Sequence, residues 1–556
     1  MPLAKHIDPE EIIQRLQATG ITTAPGHTNL LSQARASHSH AHPFDSQYTS
    51  QESIPKYRIP DNGAPADAVY NMIRNELDLD GKPNLNLASF VGTYIEPKAA
   101  QLMDENLAKN LADADEYPAL IDIHQRCVSI LSHLWGVQPG ERAIGSACTG
   151  SSEAIHLGGL AMKRRWQEKR RAEGKDTSKP NILMGANAQV ALEKFARYFE
   201  VEARILPVTA ASNFRLDPNL VRDNIDENTI GVFVILGSTY TGHYEPVEEI
   251  SDILDEYEKK TGIDIPIHVD GASGAFVAPF THAGAGPGKR WNFELPRVKS
   301  INVSGHKFGL VLAGLGWIIW RDESYLPKHL VFELHYLGGT EESYTLNFSR
   351  PGAHVIVQYY NLIHLGFRGY QGIMENCLSN ARLLADSLEA TGWYTVVSDI
   401  HRRIEGKKSS NGDDAAVTSA DFNAGLPVVS YRLTDEFKKK YPHIKQETIS
   451  VLLRARGWII PNYALPPNED KVEILRVVVR ETMTFDLLER LLADICNVTE
   501  TLIDNDQIDL STIKHHHASN RRPVTKGDHE KHKKLLHSGS KDKKTPMDDG
   551  IHKTVC

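Results

Sequence analysis

Short apolar runs alternate with amphipathic segments between about residues 140 and 325. The runs NILMG, EARILPV, IGVFVILG, IPIHVD, SINVSG and GLGWIIW are mostly separated by segments with helical spacing, which include QVALEKFARYF and EEISDILDEYEKKTG. Short buried runs that alternate with helices are typical of a mostly parallel sheet covered on both faces. The pattern therefore predicts an α/β domain in this part of the chain.

The pattern changes in the C-terminal part of the chain. A long helical stretch beginning at HVIVQYYNLIHLG is followed by WYTVVSD, LPVVSYRL, ETISVLLRARGW, VEILRVVVR and FDLLERLLADICN, which together predict a smaller α+β domain. The polar insert KKSSNGDDAAVTSADFNAG within it predicts a flexible loop. We predict four divisions: an N-terminal helix and irregular arm (1–65), a large domain (66–370), a small C-terminal α+β domain (371–505) and a disordered basic, His-rich tail (506–556).

The two ends of the chain carry little apolar sequence. The segment DPEEIIQRLQATG has a capping Asp8 and Pro9 at the first helical position, which predicts a short helix. The C-terminal tail is too polar to bury a core, so we expect it to remain solvated. Calmodulin binding by KHKKLLHSGSKDKK is possible but disfavoured, because two leucines without an aromatic residue make a poor amphipathic anchor. The His triplet at 515–517 lacks a second ligand cluster, and we predict no functional metal.

Composition excludes several classes of function. The chain has 556 residues, 41% hydrophobic residues and a net charge of -9, so it lacks the basic field that draws proteins to nucleic acid or anionic membranes. It has no signal-peptide pattern and no apolar run of about eighteen residues or more, which predicts a soluble protein. The five cysteines form no CxxC pair, which fits reduced thiols and a cytoplasmic location.

Polar residues directly follow several of the apolar runs. Asp270 ends IPIHVD, Lys307 follows SINVSG, Thr239 and Thr241 follow IGVFVILG, and GSACTGSSEA precedes a helix. Ligands of open parallel sheets bind beyond the carboxyl ends of the strands. We therefore expect these groups to converge on one crevice.

The combination of these groups predicts a pyridoxal phosphate (PLP) site. GSACTGSSEA supplies hydroxyls and free N–H groups at a helix start, which suit a phosphate, although a plain Ser cap is the commoner role of such a stretch. Lys307 suits a Schiff-base nucleophile, Asp270 a cationic ring nitrogen, and the small Ala272 leaves room for a flat ring. A surface lysine and a structural aspartate are the alternatives for each residue alone, but their joint occurrence favours PLP.

Several motifs also resemble one enzyme family. They are NLASF (86–90), EYP (116–118), GSSEA (150–154), KFARYF (194–199), TYTGHYE (239–245), HVDGASG (268–274), SGHKFG (304–309), YLGG (336–339) and NFSRPG (347–352). In this order they resemble the glutamate decarboxylases, group II PLP-dependent decarboxylases of fold type I, over residues 60 to 495. The resemblance implies a large PLP-binding domain with a mostly parallel, seven-stranded type of sheet and a smaller C-terminal α+β domain.

The resemblance implies a set of cofactor contacts. Lys307 would bind PLP as a Schiff base, Asp270 would keep the pyridine nitrogen protonated, and Thr239 would orient Asp270. Gln189 would stack on one face of the ring, with Ala272 on the opposite face. The implied phosphate ligands are Ser151, Ser152, Ser304, His306 and, from a partner subunit, Ser349.

The resemblance also implies how the substrate would bind. Ser89, Phe90 and a neighbouring subunit's Asp113 would surround the distal carboxylate. Arg476 would pair with the α-carboxylate, a task that suits a planar guanidinium. A solvent-facing Arg is the alternative, which its apolar surroundings VEILRVVVR disfavour. Tyr336 would belong to a mobile loop near the cofactor, with a packed aromatic residue as the alternative.

The implied reaction is the decarboxylation of L-glutamate to 4-aminobutanoate (GABA) and CO2 by a homo-oligomer, at least a dimer with active sites shared between subunits. Lys307, His306 and Tyr336 remain open as donors of the proton to Cα. Another group II decarboxylase, acting on an aromatic or histidine-like amino acid, is the first alternative. A catalytically inactive scaffold protein is the second.

Overall fold

The computed structural model describes residues 6 and 57 and the ranges 59–282, 290–334, 341–404 and 418–504. The predicted N-terminal helix, nearly all of the predicted arm, most of the polar insert, the basic tail and Tyr336 lie outside the described residues. Contacts between residues divide the chain into two compact units, residues 1–82 and 83–556.

The described residues form helices and strands that alternate along most of the second unit. The helices are α1 (Ala66–Leu77), α2 (Pro97–Glu105), α3 (Pro118–Leu134), α4 (Ser151–Ala172), α5 (Val190–Tyr198), α6 (Pro218–Asn224), α7 (Val247–Thr261), α8 (Ala278–Thr281), α9 (Ala353–Ala390), α10 (Asp435–Lys440), α11 (Gln446–Ala455) and α12 (Phe485–Asp504). The strands are β1 (Ile144–Cys148), β2 (Asn181–Gly185), β3 (Glu202–Leu206), β4 (Thr229–Ile235), β5 (Ile267–Asp270), β6 (Val298–Val303), β7 (Gly316–Trp320), β8 (Phe332–Leu334), β9 (Glu341–Ser343), β10 (Tyr394–Val396), β11 (Val428–Leu433), β12 (Asn462–Ala464) and β13 (Glu473–Val478).

Seven strands form the central sheet of the described residues, in the order β1-β7-β6-β5-β4-β2-β3. β7 is antiparallel to both of its neighbours, and the other six strands run in one direction. The carboxyl ends of β1, β2, β4, β5 and β6 therefore meet at one edge of the sheet. That edge is where a ligand of an open α/β sheet binds.

Both faces of this sheet are covered by helices. In β7, Trp317 and Ile319 pack into the same core as Leu131 of α3, whereas Ile318 and Trp320 pack with Leu157 of α4. Successive side chains of a strand point to opposite faces, so an apolar strand such as GWIIW requires a partner on each side. The apolar runs in the sequence follow from this arrangement.

A second, antiparallel sheet lies in the C-terminal part of the same compact unit, in the order β10-β11-β13-β12. The long helix α9 contacts β10 and β11 as well as α2 and α3, which lie beside the central sheet. Its helical geometry is interrupted at Gly366, where φ is 58°. Positive φ is a conformation that glycine adopts readily, so the helix bends there without steric strain.

The predicted fold class is confirmed, with a mostly parallel seven-stranded sheet and a smaller α+β part. The strand β1 was not predicted, because IGSAC contains small and polar residues and lies at the sheet edge. The domain boundaries stay predictions, and residue 370 lies inside α9. Within the described residues, no helix is both long and apolar enough to cross a membrane.

Gly159 of α4 provides a test of packing between α4 and α5. A Cβ atom at this position would lie 2.5 Å from the ring of the fully buried Phe195. We expect Gly159→Ala to lower the free energy of unfolding, because overpacking costs about 1–3 kcal/mol and exceeds the gain in helix propensity. Thermal unfolding measures the change.

Gly372→Ala is the matched control, since no atom lies within 4 Å of a Cβ at that helical position. It should raise the unfolding midpoint slightly, because Ala is the better helix former. Equal midpoints for the two variants would contradict the packing argument.

Candidate active site

A cavity of about 250 Å³ lies at the carboxyl edge of the central sheet. Its walls come from the segments that follow five parallel strands. These segments are 149–155, 187–189, 235–239, 270–273 and 304–307. The sheet therefore brings together residues that are far apart in sequence, as the strand-end pattern predicts.

Lys307 follows β6 and extends into this cavity. Its Nζ lies 3.3 Å from Ser273 Oγ and 5.3 Å from the centre of the Phe90 ring. Burial lowers the pKa of Lys307 to about 8; the nearby Arg476 cation also lowers it, whereas Asp270 raises it. The residue as a whole is half-buried, since part of its side chain borders the cavity. A lysine with a lowered pKa has more of the unprotonated amine that acts as a nucleophile.

Asp270 is held by a chain of hydrogen bonds between β5 and β6. Asn302 Nδ2 donates to Asp270 Oδ1 at 2.9 Å, and the N–H of Ala272 donates to the same oxygen at 3.1 Å. His268 Nε2 lies 2.7 Å from Asn302 Oδ1, and His268 Nδ1 lies 2.7 Å from Ser300 Oγ. Both bonds to Asp270 use Oδ1, so Oδ2 remains available to a cationic group in the cavity.

This chain of bonds fixes the protonation of His268. Since the Asn302 amide donates to Asp270 through nitrogen, its oxygen faces His268 and must accept from Nε2–H. Burial lowers the pKa of His268 to about 4, so the ring is neutral and Nδ1 accepts from Ser300. The direction of donation therefore runs from Ser300 through His268 and Asn302 to the carboxylate.

Sequence reasoning missed Ser300, His268 and Asn302. The signal was present as polar residues at alternate positions of two otherwise apolar strands, SINV and IHVD. Residues two apart in a strand share a face, and the register pairs His268 with Ser300 and Asp270 with Asn302. Only the pairing of β5 with β6 shows that the polar residues face one another.

The start of α4 forms the second wall of the cavity. Ser151 Oγ and Ser304 Oγ lie 2.5 Å apart, and both residues are buried. Burial lowers the pKa of His306 to about 4, and the neighbouring Lys307 cation adds to this effect. His306 Nδ1 is buried and has no hydrogen-bond partner among the described residues. These groups, with the free N–H groups of the first helical turn, form a site suited to an oxyanion.

Thr239 and Gln189 also line the cavity. Thr239 Oγ1 is buried and has no hydrogen-bond partner within the described part of the chain. The side chain that donates to Asp270 is Asn302, and not Thr239 as the resemblance implies. Gln189 caps α5 by accepting from Ala191 N–H at 2.9 Å. Ala272 and Ser152 complete the set of predicted residues on the cavity wall.

Arg476 lies on β13 with 4% of its surface exposed, which excludes the solvent-facing alternative. It donates to the carbonyl oxygens of Thr239, at 2.6 Å, and Ala88. Its guanidinium carbon lies 5.0 Å from the centre of the Phe90 ring, and Lys307 Nζ lies 5.3 Å from the centre of the same ring. The predicted carboxylate-binding arginine and the predicted nucleophile therefore both contact Phe90. Ser89, next in the chain, accepts from Val91 N–H at 3.1 Å.

Asp113 and Ser349 do not line the cavity of their own chain. The segments that contain them contact each other, since Asn110 Nδ2 donates to Ser349 Oγ at 3.3 Å and Leu111 N–H donates to Arg350 O at 2.8 Å. Ser349 is exposed there. These are the two residues that the resemblance assigns to the active site of a neighbouring subunit.

Comparisons with known proteins agree with this arrangement. Residues 60–404 match the pyridoxal-dependent decarboxylase conserved domain. A glutamate decarboxylase of Saccharomyces cerevisiae is 51% identical over 82% of this chain and 80% of the yeast protein. A glutamate decarboxylase of Petunia hybrida is 46% identical over 83% of this chain and 85% of its own length.

The chain belongs to the pyridoxal-dependent decarboxylase family. The predicted resemblance to the glutamate decarboxylases is thereby confirmed. A solved structure of a Lactobacillus brevis glutamate decarboxylase matches with a TM-score of 0.73 and 36% identity, over 82% of this chain and 97% of that one.

The residues of the cavity fit the cofactor of this family. His306 Nδ1 and Thr239 Oγ1 are buried polar atoms without partners in the described part of the chain, and both face a space lined by Ser151, Lys307 and Asp270. A hydroxyl and N–H cradle for a phosphate, an amine and a carboxylate are the groups that PLP requires. Among the described residues, no group of three or more His, Cys, Asp or Glu could hold a metal ion.

A carboxyl group that sequence reasoning missed lies behind the cavity wall. Glu245 is 3% exposed, accepts from Asn187 Nδ2 at 2.9 Å and from Ile235 N–H at 2.6 Å, and both partners line the cavity. Burial raises the pKa of Glu245 to about 7, and the nearby Asp270 carboxylate adds to this effect. The sequence gives no indication of this, because burial of Glu245 depends on the tertiary fold.

The raised pKa of Glu245 predicts a pH-dependent stability. The folded protein keeps a proton that the unfolded chain releases between pH 4.5 and about 7, so Glu245 lowers stability as pH rises through that window. Glu245→Gln removes this titration. Relative to wild type, we expect the variant to gain up to about 3 kcal/mol between pH 5 and pH 8, seen as a flatter unfolding midpoint against pH.

Glu249→Gln, at an exposed position in the first turn of α7, is the control and should keep the wild-type slope. Parallel curves for wild type and Glu245→Gln would show that Glu245 does not titrate in this range.

Proposed function

We propose that the protein decarboxylates L-glutamate to 4-aminobutanoate and CO2 with PLP as cofactor. The observation that carries the proposal is the placement of Lys307 and Asp270 on the wall of one cavity, with the buried Arg476 near Lys307 beside the Phe90 ring. The names of relatives with 44–51% identity over most of the chain support glutamate as the substrate.

The bound cofactor would supply an electron-withdrawing ring that takes up the electron pair left when the carboxylate departs. Lys307 would hold it, Asp270 would keep its ring nitrogen cationic, and Ser151, Ser152, Ser304 and His306 would bind its phosphate. Asp270 suits this role because its bonds to Asn302 and Ala272 fix the carboxyl group in place.

Arg476 would bind one carboxylate of the substrate. Its guanidinium already donates to two backbone carbonyls, and its Nε is buried without a partner among the described residues. A carboxylate that enters beside Phe90 would meet a cation fixed by the small sheet rather than a flexible side chain. Such fixed charges favour one orientation of the substrate, which is how the protein would select the bond that breaks.

The reaction replaces the departing carboxylate with a proton on Cα, so each turnover consumes one proton. The position of Lys307 on the cavity wall, with its Nζ 3.3 Å from Ser273 Oγ, supports it as the proton donor. His306 is neutral at neutral pH because burial lowers its pKa to about 4. Tyr336 lies outside the described residues.

We propose further that a dimer is the smallest active unit. Asp113 and Ser349 belong to segments that contact each other, and neither residue lines the cavity of its own chain, which supports their entry into the site of a second copy. A cytoplasmic location is proposed as well, supported by the four unpaired cysteines of the described residues.

Incubation of the purified, PLP-saturated protein with L-glutamate should release CO2 and form 4-aminobutanoate. L-Tryptophan and L-histidine are the comparison substrates. A higher rate with either one would show that glutamate is not the preferred substrate. Lys307→Ala should abolish turnover and the borohydride-sensitive visible absorption of the bound cofactor. A variant that keeps both would refute the role of Lys307.

Subunit mixing tests the shared active site. We expect Lys307→Ala and Ser349→Asp each to be inactive alone, since the second places a carboxylate beside the phosphate. In an equal mixture, mixed dimers contain one intact site, and activity should return to about a quarter of wild type.

If Ser349 acted within its own chain, no mixed dimer would contain an intact site and activity would not return. Mixing Lys307→Ala with Lys307→Gln is the control, because no combination of these chains restores the lysine.

A further inference from the structure

A second cavity, of about 180 Å³, lies at the opposite edge of the central sheet. One wall is the second half of α4, from which Met162, Arg165, Trp166, Lys169 and Arg170 project at helical spacing, with Glu173 directly after the helix. The other wall contains Thr229 and Ile230 at the start of β4 and the segment 261–266 before β5. The proposed active site lies at the other ends of these strands, so the two cavities are separate.

In the described part of the chain, all the carboxylates that line this second cavity form ion pairs, whereas two of the cations that line it do not. Its three carboxylates all have cationic partners: Glu173 with Lys175 at 2.8 Å, Glu227 with Arg170 at 3.8 Å, and Asp264 with Arg297 at 2.7 Å. Arg165 and Lys169 also line the cavity, and neither forms an ion pair or hydrogen bond within the described residues. Two cations four residues apart on one helix therefore border the cavity without a direct ion pair, although Asp264 lies close enough to Arg165, and Glu173 close enough to Lys169, to interact with them electrostatically.

Arg165 is the more informative of the two cations. It is half-buried, and its guanidinium carbon lies 4.3 Å from the centre of the Tyr325 ring. Stacking fixes the plane of a guanidinium and leaves its N–H edge free. Burial also lowers the pKa of Arg165, which indicates that the charge is partly removed from water. A fixed cation without a hydrogen-bond acceptor is suited to bind an anion bidentately.

An interaction with the helix dipole does not account for this arrangement. Cations in the last turn of a helix stabilise its carboxyl end, and Lys169, Arg170 and Arg171 of α4 occupy that turn. Arg165 lies a full turn earlier, where the dipole contributes little. Its neighbours Met162, Ile230, Ile263 and Pro266 give the cavity an apolar wall as well as a cationic one.

We propose that this second cavity binds a small organic anion, through Arg165 and Lys169 to a phosphate or carboxylate group and through the apolar wall to the body of the molecule. The volume suits a ligand of a few heavy atoms rather than a nucleotide or a peptide. Binding here is independent of the proposed active site, because no residue lines both cavities.

Calorimetric titration of the PLP-saturated protein with inorganic phosphate, and separately with succinate, tests the proposal. Saturation with PLP fills the phosphate site at Ser151 but leaves Arg476 open to a carboxylate, so only heat that changes in the α4 variants below is assigned to the second cavity. We expect one site per chain for at least one of the two anions. Binding of phosphate alone identifies a phosphate ligand, binding of succinate alone a carboxylate ligand, and binding of both a general anion site.

Three glutamine variants on α4 assign the site. Arg165→Gln should weaken binding at least about tenfold, as expected for loss of a charge-assisted hydrogen bond, and Lys169→Gln should weaken it several-fold. Arg171→Gln is the matched control, because Arg171 is exposed on the same helix and does not line the cavity. Lys169 is also exposed, so its variant reports on binding even if Arg165→Gln is destabilised.

Two outcomes would overturn the proposal. One is that neither phosphate nor succinate binds the PLP-saturated protein. The other is equal affinity in Lys169→Gln, Arg165→Gln, Arg171→Gln and wild type, which would indicate binding at the proposed active site or an adventitious ion only.

Discussion

Asp270 carries a charge at the end of a buried strand, and a charge in that position requires partners that cannot move. Asn302 and the N–H of Ala272 supply them, and Asn302 is itself fixed by His268. All of these residues belong to β5, to β6 or to the turn that follows β5. The register of two parallel strands therefore determines where the carboxylate points. A slip of one residue would turn the polar side chains to the opposite face and leave the charge without partners.

The shape of the cavity also depends on the segment after β4, which the small antiparallel sheet holds in place. The consecutive carbonyl oxygens of Thr239, Tyr240 and Thr241 accept hydrogen bonds from Arg476, Ser430 and Ser398, respectively. The last two donors, like Arg476, belong to the antiparallel sheet or to the turn beside it. The small sheet thus shapes one wall of the cavity as well as supplying the arginine. This explains why contacts join both sheets in one compact unit.

Charge is distributed along α4 according to the direction of its dipole. The 22-residue helix spans about 33 Å, with Ser151 at the cavity that suits an anion and its cations near the other end. Free N–H groups at one end and unpaired cations near the other both favour anions, by different physical means. The two ends of α4 therefore lie at two cavities, on opposite edges of the sheet, that both favour anions.

Much of the architecture could be read from local patterns. Apolar runs of five to seven residues predicted the buried strands β2, β4 and β7, because a strand covered on both faces must be apolar throughout. The positions of Lys307 and Asp270 after such runs predicted the edge where they meet. β1 escaped prediction because its IGSAC sequence has no continuous apolar run.

The sequence by itself determined which residues end the strands, and so which chemical groups gather at the edge of the sheet. Only the tertiary structure decided how those groups are held. Ser300, His268 and Asn302 face one another through strand register, and Glu245 acquires its raised pKa through burial. The segments of Asp113 and Ser349 meet through a hydrogen bond between Asn110 and Ser349, which are more than two hundred residues apart. Hydrogen bonds and burial between distant segments depend on the folded chain, and no local pattern of apolar and polar residues specifies them.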